Sequence, residues 1–351
     1  MKSLSDIVKP LLLWYGANAR VLPWRDEPTP YRVWISEIML QQTRVEAVKA
    51  YFERFTGELP SLAALAEAEE PQLLKLWEGL GYYSRVRNLH KAAQIVMKDY
   101  GGRLPEEPEE LIQLPGIGAY TAGAIASIAY GKPAPAVDGN VLRVIARVTA
   151  SHDNVSENAV KRRIEQDLKQ VYPAGRAGDF TQALMELGAL VCLPNGAPNC
   201  EECPLRALCA ARAQGITDEL PVKQAKKERK IERRTVFLLL CGEKAAIHKR
   251  PEKGLLAGLW EFPSADGALS PQQAKEWLKT QGIAPLKIER LPGAKHIFTH
   301  IEWHMTGYLV TVPKLPDSTE LVWAARGELL ETYTIPAAFK SFLTRFLEIG
   351  G

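Results

Sequence analysis

The stretch LPGIGAYTAGAIA, residues 114–126, constrains the fold of this chain more than any other. Its glycines, Gly116 and Gly118, permit a tight hairpin whose amides face outward, and the small residues that follow have helical spacing. A helix that starts directly after a glycine turn aims its unpaired N–H groups and the positive end of its dipole at whatever docks on the turn. Phosphate is the natural ligand of such a feature. PEELIQL, residues 108–114, reads as a helix just before the turn. The unit predicted over about 108–130 is therefore a helix-hairpin-helix, which grips a nucleic-acid backbone without reading its sequence. An ordinary turn between two helices has the same spacing, and the pattern alone leaves both readings open.

At 351 residues the chain is long enough for two domains, each with its own core. Its composition, 46% hydrophobic and 24% charged, is that of a globular protein, and no apolar run is long enough to span a bilayer. The start, MKSLSDIVKPLLLWYG, interrupts its apolar stretch with Asp6 and Pro10 and lacks a small-residue cleavage site, so a cytoplasmic protein is expected. ITDELPVKQAKKERKIERR, residues 216–234, is polar and charged and reads as a linker between residues 1–215 and 235–351. Residues 217–234 hold seven Lys and Arg against four Asp and Glu, which is the whole net charge of +3. A nucleic acid bound elsewhere must be held by local patches and backbone amides. Before the linker, VWISEIML, LLKLW, AGAIASIA and VLRVIARV have helical spacing. After it, TVFLLLCG and KAAIHKR flank a glycine turn, HIFTHIEWHMTGYLVTV reads as two strands, and PQQAKEWLKTQ and AAFKSFLTRFLEI read as helices.

Two carboxylates carry the chemistry. Glu37, in YRVWISEIMLQQT, shares a helix face with Val33, Trp34, Leu40 and Gln41. Desolvation on that stripe raises its pKa and keeps a neutral acid near neutral pH, as general-acid catalysis requires. An ion pair with Arg32 or Arg44 is the structural alternative. Asp138 follows the extended KPAPAV and precedes a helical stretch, so it is suited to be an N-cap, where donated hydrogen bonds favour its charged form. Carboxylates in such unlike environments match cleavage of a glycosidic bond through an oxocarbenium-like state. Cys192, Cys200, Cys203 and Cys209 are spaced C-x7-C-x2-C-x5-C, a ligand set for zinc or an iron–sulfur cluster between which spacing does not decide. Cys241 reads as a buried strand thiol.

LPGIGAYTAGAI, VDGNV at 137–141 and the four cysteines together resemble the helix-hairpin-helix DNA glycosylases. SEIMLQQT, LPWR and GLGYYSR are similar to the MutY-type adenine glycosylases in particular, and the resemblance covers nearly the whole chain, strongest from 20 to 210. It implies a mostly α helix-hairpin-helix glycosylase domain with an iron–sulfur module, joined to an α+β Nudix-like domain. The implied substrate is double-stranded DNA, from which a monomer flips and excises adenine opposite 8-oxoguanine or guanine, with no role for a membrane. Glu37 then protonates the base and Asp138 shelters the sugar cation, while Tyr120 and Asn140 assist. Tyr120 stands where strand-cutting members carry a Schiff-base lysine, which implies excision without strand cleavage. The resemblance lines the adenine pocket with Arg20, Leu22, Trp24, Arg25 and Gln182, and places Gln42, Thr43, Leu80 and Tyr82 at the DNA, Gln42 and Tyr82 filling the gap left by the flipped base.

By the same resemblance, Gly116 and Gly118 hold the DNA backbone and the four cysteines hold a [4Fe–4S] cluster, with seven residues, LPNGAPN, where relatives have six. GLLAGLWEFPSA, residues 254–265, resembles the start of a Nudix fold, but the glutamate-rich signature is missing, so pyrophosphatase activity is not expected. Phe298, Thr299 and His300 fall where MutY-type proteins carry a Phe-Ser-His motif that inspects 8-oxoguanine. Several of these residues have plainer readings: Leu22, Trp24 and Tyr82 as core, Gln42 as a solvated helix end, Phe298 as a strand residue. Two other functions compete. An endonuclease III-like glycosylase and lyase is opposed by Tyr120 and the second half of the chain, and a non-catalytic DNA damage-binding protein has no use for Glu37 with Asp138.

Overall fold

The computed structural model describes residues 3–194, 196–224, 228–315 and 320–349. Asn195, within the loop that carries the added residue, and residues 225–227 of the predicted linker lie outside them. Contacts divide the chain into two compact units, one of residues 1–68 with 87–225, the other of residues 69–86 with 226–351.

The first unit is helical. Its core joins the helices Val8–Asn18, Gly139–Thr149, Asn158–Lys169 and Ala177–Leu190 through Leu11, Val141, Ile145, Ile164, Phe180 and Leu187. Local chemistry sets the boundaries. Pro30 opens the helix Pro30–Leu40 while Thr29 accepts the Arg32 N–H, and Asp138 caps Gly139–Thr149 by accepting from the N–H groups of Asn140 and Val141. The hairpin is present: a short helix Pro108–Leu111, a turn, the helix Ala119–Ala124 and a π-helical turn Ile125–Ala129. Its two glycines differ. Gly116 has φ +79, and a Cβ there would stand 2.8 Å from that of Asn88, so only glycine fits; Gly118 has φ −96, open to any residue.

The second unit is α+β. Among the described residues its sheet comprises β1 (Lys230–Cys241), β2 (Lys244–Lys249), β3 (Trp260–Glu261), β4 (Ser264–Asp266), β5 (Lys287–Ile297), β6 (Ile301–Thr311) and β7 (Val322–Ala324). The main path runs β3-β2-β1-β6-β5, with β4 on β1 and β7 on β2. Among the described residues only the β1–β6 pair is parallel. Alternate residues of β1 serve two cores: Val236 and Leu238 face Phe342 and Phe346 of the helix Lys340–Glu348, and Phe237 and Leu239 face Ala274 and Leu278 of the helix Pro271–Thr280. Lys75 and Glu78 explain why residues 69–86 belong here: Lys75 Nζ donates to Tyr333 O at 3.2 Å and Glu78 Oε1 accepts the Ile335 N–H at 2.8 Å.

The segment read as a linker is structured at both ends. Residues 230–234 are already part of β1, whose parallel pairing with β6 begins at Lys230 with Ile301 and supplies the order that their charged side chains do not. At the other end the Val155 N–H donates to Val222 O at 3.0 Å and the Arg147 guanidinium to Leu220 O at 2.9 Å.

Candidate active site and cysteine pocket

Arg20, Leu22, Trp24, Arg25, Glu37, Gln42, Thr43, Tyr120, Asp138, Asn140 and Gln182 all line one cleft of about 940 Å³ in the helical unit. Helices, their flanking turns and the hairpin bring them there, Trp24 and Arg25 from the short helix Pro23–Asp26. Glu37 sits on the last turn of Pro30–Leu40, Tyr120 on the first turn after the glycine hairpin, Asp138 and Asn140 at the start of Gly139–Thr149, and Gln182 on Ala177–Leu190.

Glu37 is 5% exposed. Burial pushes its pKa up to about 7; the nearby Asp138 carboxylate adds to that, and the Tyr120 phenol and Arg25 act against it. The phenol donates to Glu37 Oε2. Burial and the two carboxylates push the Tyr120 pKa well above that of an ordinary tyrosine, so it remains a donor. The alternative ion pair with Arg32 is not made: Arg32 Nη2 donates to Pro23 O and its guanidinium lies over the Phe52 ring. Asp138 Oδ1 accepts the Asn140 and Val141 N–H groups at 2.9 and 2.8 Å, and Oδ2 accepts from Asn140 Nδ2 at 2.7 Å. The cap was expected to favour the charged form. It does act in that direction, but burial outweighs it and the pKa of Asp138 is raised.

Leu22 and Trp24 are at once core and wall, 2% and 6% exposed, with Trp24 edge-on to Phe52. Both arginine forks are engaged within the wall of the cleft. Arg20 Nη2 and Arg25 Nη2 donate to Glu186 Oε1 at 2.8 and 2.7 Å, and Arg20 Nε donates to Oε2 at 2.9 Å. Burial alone would raise the pKa of Glu186, but the two guanidiniums hold it below the usual carboxylate range. Sequence reasoning missed Glu186, although its place in FTQALMELGAL, one turn beyond Gln182, was a signal. It also missed Arg143 and Arg147, both 3% exposed. Two arginines four residues apart on an apolar helix were the sign.

Arg143 Nη2 donates to Asn140 Oδ1 at 2.8 Å and to Gly188 O at 2.7 Å, and its Nε to Cys192 O at 2.6 Å. Close approach makes this possible: a Cβ on Gly188 would lie 2.5 Å from that of Asn140. Arg147 Nη1 donates to Cys192 Sγ at 3.3 Å. Cys192, Cys200, Cys203 and Cys209 carry free thiols and line one pocket with Val144, Leu187, Val191 and Leu205. Among the described residues, no three His, Cys, Asp or Glu side chains gather closely enough to hold a single metal ion. Burial and the neighbouring thiols raise the pKa of Cys200, Cys203 and Cys209. Cys241 is half-buried at the end of β1.

The remaining candidates lie outside the cleft. Gly116 and Gly118 form the hairpin turn. In the second unit, Leu80 is buried, at 6% exposure, whereas Tyr82 is 45% exposed and so is no core aromatic. Its hydroxyl lies 2.8 Å from Thr299 Oγ1. Phe298, Thr299 and His300 connect β5 to β6; the Phe298 ring packs edge-on against Trp303, while Thr299 and His300 are exposed. Tyr82 and Gln42 both have positive φ, +46 and +59, a cost of about 1 kcal/mol or more for each side chain. Gln42 lies in the turn after the helix, not at its end.

No helix among the described residues is long and apolar enough to cross a membrane. Residues 35–170 match the HhH-GPD superfamily of base excision DNA repair proteins, and residues 235–345 match the NUDIX domain. The adenine DNA glycosylase of Mus musculus is 36% identical over 88% of this chain and 71% of its own length. That of Buchnera aphidicola subsp. Acyrthosiphon pisum is 34% identical over 88% and 87%. A thermostable thymine-DNA glycosylase of known structure superposes with a TM-score of 0.55 at 30% identity, over 60% of this chain and 96% of its own. Endonuclease III bound to DNA, at 23% identity and a TM-score of 0.51 over 60% and 95%, shares the fold. With Glu37 and Asp138 in one cleft behind a helix-hairpin-helix, and a Nudix-type sheet following, this chain belongs to the MutY-type adenine DNA glycosylase family and is a DNA N-glycosylase.

Proposed function

We propose that this protein hydrolyses the N-glycosidic bond of adenine lying opposite 8-oxoguanine or guanine in duplex DNA and leaves the strand uncut. The observation that carries the reading is Glu37, a buried carboxyl with its pKa near 7, hydrogen-bonded by a phenol in the cleft that also holds Asp138. Adenine is a poor leaving group until it is protonated. With Tyr120 donating to Oε2, the proton of neutral Glu37 resides on Oε1 and passes to the flipped base. The glycosidic bond breaks with its electron pair going to the base, the ionised Asp138 shelters the electron-poor sugar, and water adds to the sugar while the Glu37 carboxylate takes up the proton it releases. Flipping costs least at a mispair. Tyr120 is no amine and cannot form the imine that strand cutting requires.

The four thiols suit a [4Fe–4S] cluster. They share an apolar pocket without meeting at one point, and Arg147 directs an N–H at one sulfur. Such a cluster would be held by Cys192, Cys200, Cys203 and Cys209 and would supply structural charge balance, not bond cleavage. Gly116 and Gly118 would hold the DNA backbone, Gln42 and Tyr82 would fill the gap, and exposed Thr299 and His300 would meet the oxidised guanine.

The test is strand scission, with and without alkali, on duplexes carrying adenine opposite 8-oxoguanine, adenine opposite guanine, or an oxidised pyrimidine. Cleavage of the first two chiefly after alkali is expected. Prompt scission without alkali, trapped by borohydride, would instead establish the lyase. Iron content and visible absorption of the purified protein check the cluster, which stoichiometric zinc without iron would refute.

A further inference from the structure

The cleft extends beyond the candidates that sequence reasoning supplied, to Val155, Ser156, Lys161, Glu165 and Lys223. Lys223 comes from the segment read as a linker. That segment is fastened along its length: Leu220, 2% exposed, accepts from Arg147 Nε through its carbonyl, Val222 O accepts the Val155 N–H, and the Gln224 N–H donates to Ser156 Oγ at 3.3 Å. We infer that residues 216–224 are a strap of the substrate cleft, carrying exposed Lys223 to its rim so that Lys223 and Lys161 bind the phosphates flanking the extruded nucleotide.

The inference rests on the proposal that the cleft receives a flipped nucleotide. A base that meets Glu37 and a sugar that meets Asp138 leave their two phosphates at the rim. The inner wall offers them little charge, because Arg20 and Arg25 are both committed to Glu186 and Asp138 is itself an anion. Lys161 and Lys223 are the lysines among the residues that line the cleft. Glu165, one turn from Lys161, lines the same wall; burial raises its pKa, against the charges of Arg162 and Lys161. An ammonium on a long stem is a mobile point charge, suited to phosphate and indifferent to sequence.

The experiment measures binding of the full chain to a duplex holding a 2′-fluorinated adenosine opposite 8-oxoguanine, whose glycosidic bond resists cleavage, across a range of salt concentrations. Lys223→Gln and Lys161→Gln should each lower the slope of log affinity against log salt by about 0.9 and weaken binding roughly 5- to 10-fold near 0.1 M salt. Lys223→Arg should keep the wild-type slope, and so should Lys169→Gln, on the same helix as Lys161 but off the cleft. A wild-type slope for Lys223→Gln overturns the inference. Adenine release by the wild type from the unfluorinated duplex is read alongside; its absence would remove the proposed function itself, whatever the slopes.

Discussion

Glu37 and Glu186 stand in the same cleft and are almost equally buried, at 5% and 1% exposure, yet they titrate in opposite directions. Glu37 has a phenol for a partner and a carboxylate nearby, and its pKa rises to about 7. Glu186 has two guanidiniums, and its pKa falls. Burial penalises the charge on both; the partner decides which one keeps a proton. The fold thus pushes the same side chain towards its neutral form at one position and towards its anion at the other.

Substitutions can break this contrast. Glu37→Gln keeps the shape and removes the proton, so single-turnover adenine excision should fall about 10³-fold while duplex affinity stays within a few-fold. The same variant reports strain. A carboxyl whose folded pKa exceeds its unfolded one makes the native state bind more protons across the window from about 4.5 to 7, so stability declines through that window and the cost persists above it. The cost is about 3 kcal/mol, and Glu37→Gln should therefore unfold several degrees higher than the wild type at pH 8 but not at pH 4. The next effect in size is that of Glu186→Gln, which strands two guanidiniums. A loss of about 3 kcal/mol in denaturant unfolding is expected, at the low end for a broken buried pair because the Arg20 side chain is 30% exposed.

Gly188→Ala should cost 1–3 kcal/mol by overpacking Asn140, and should lower the excision rate more than DNA affinity because Asn140 binds Asp138. The smallest and most diagnostic effect is on the pH profile. Wild-type excision should fall tenfold per pH unit above about 7, as Glu37 loses its proton. Tyr120→Phe removes a bond that favours the carboxylate, so that limb should move to higher pH. An unmoved limb would mean that Glu37 is not the titrating acid.

The two units differ in how far sequence reading reached. In the helical unit the cleft was legible because its chemistry rests on local patterns: an acid on an apolar helix face, an aspartate before a helix, glycines before another. Trp24 could not be sorted into core or pocket because it is both. In the second unit the strands TVFLLLCG and KAAIHKR around a glycine turn were legible, but residues 230–234 were read as linker because their order comes from pairing with β6, about seventy residues away. The residues around Tyr82 left core and surface readings both open for a similar reason, since its positive φ and its hydroxyl contact with Thr299 belong to the folded unit.

By itself the sequence determined a glycine turn between two helices, the helix that carries Glu37, the aspartate before a helix and the four thiols, since each follows from spacing within a few turns of chain, while the family resemblance chose the helix-hairpin-helix and the acid among the readings left open. Only the tertiary structure decided how these groups are charged. Glu186 reaches Arg20 across 166 residues, Tyr120 reaches Glu37 across 83, and Arg143 spans 49 from the helix start to the cysteine pocket. Proton affinity depends on which charges and donors surround a group in space, and that neighbourhood exists only once the chain has folded.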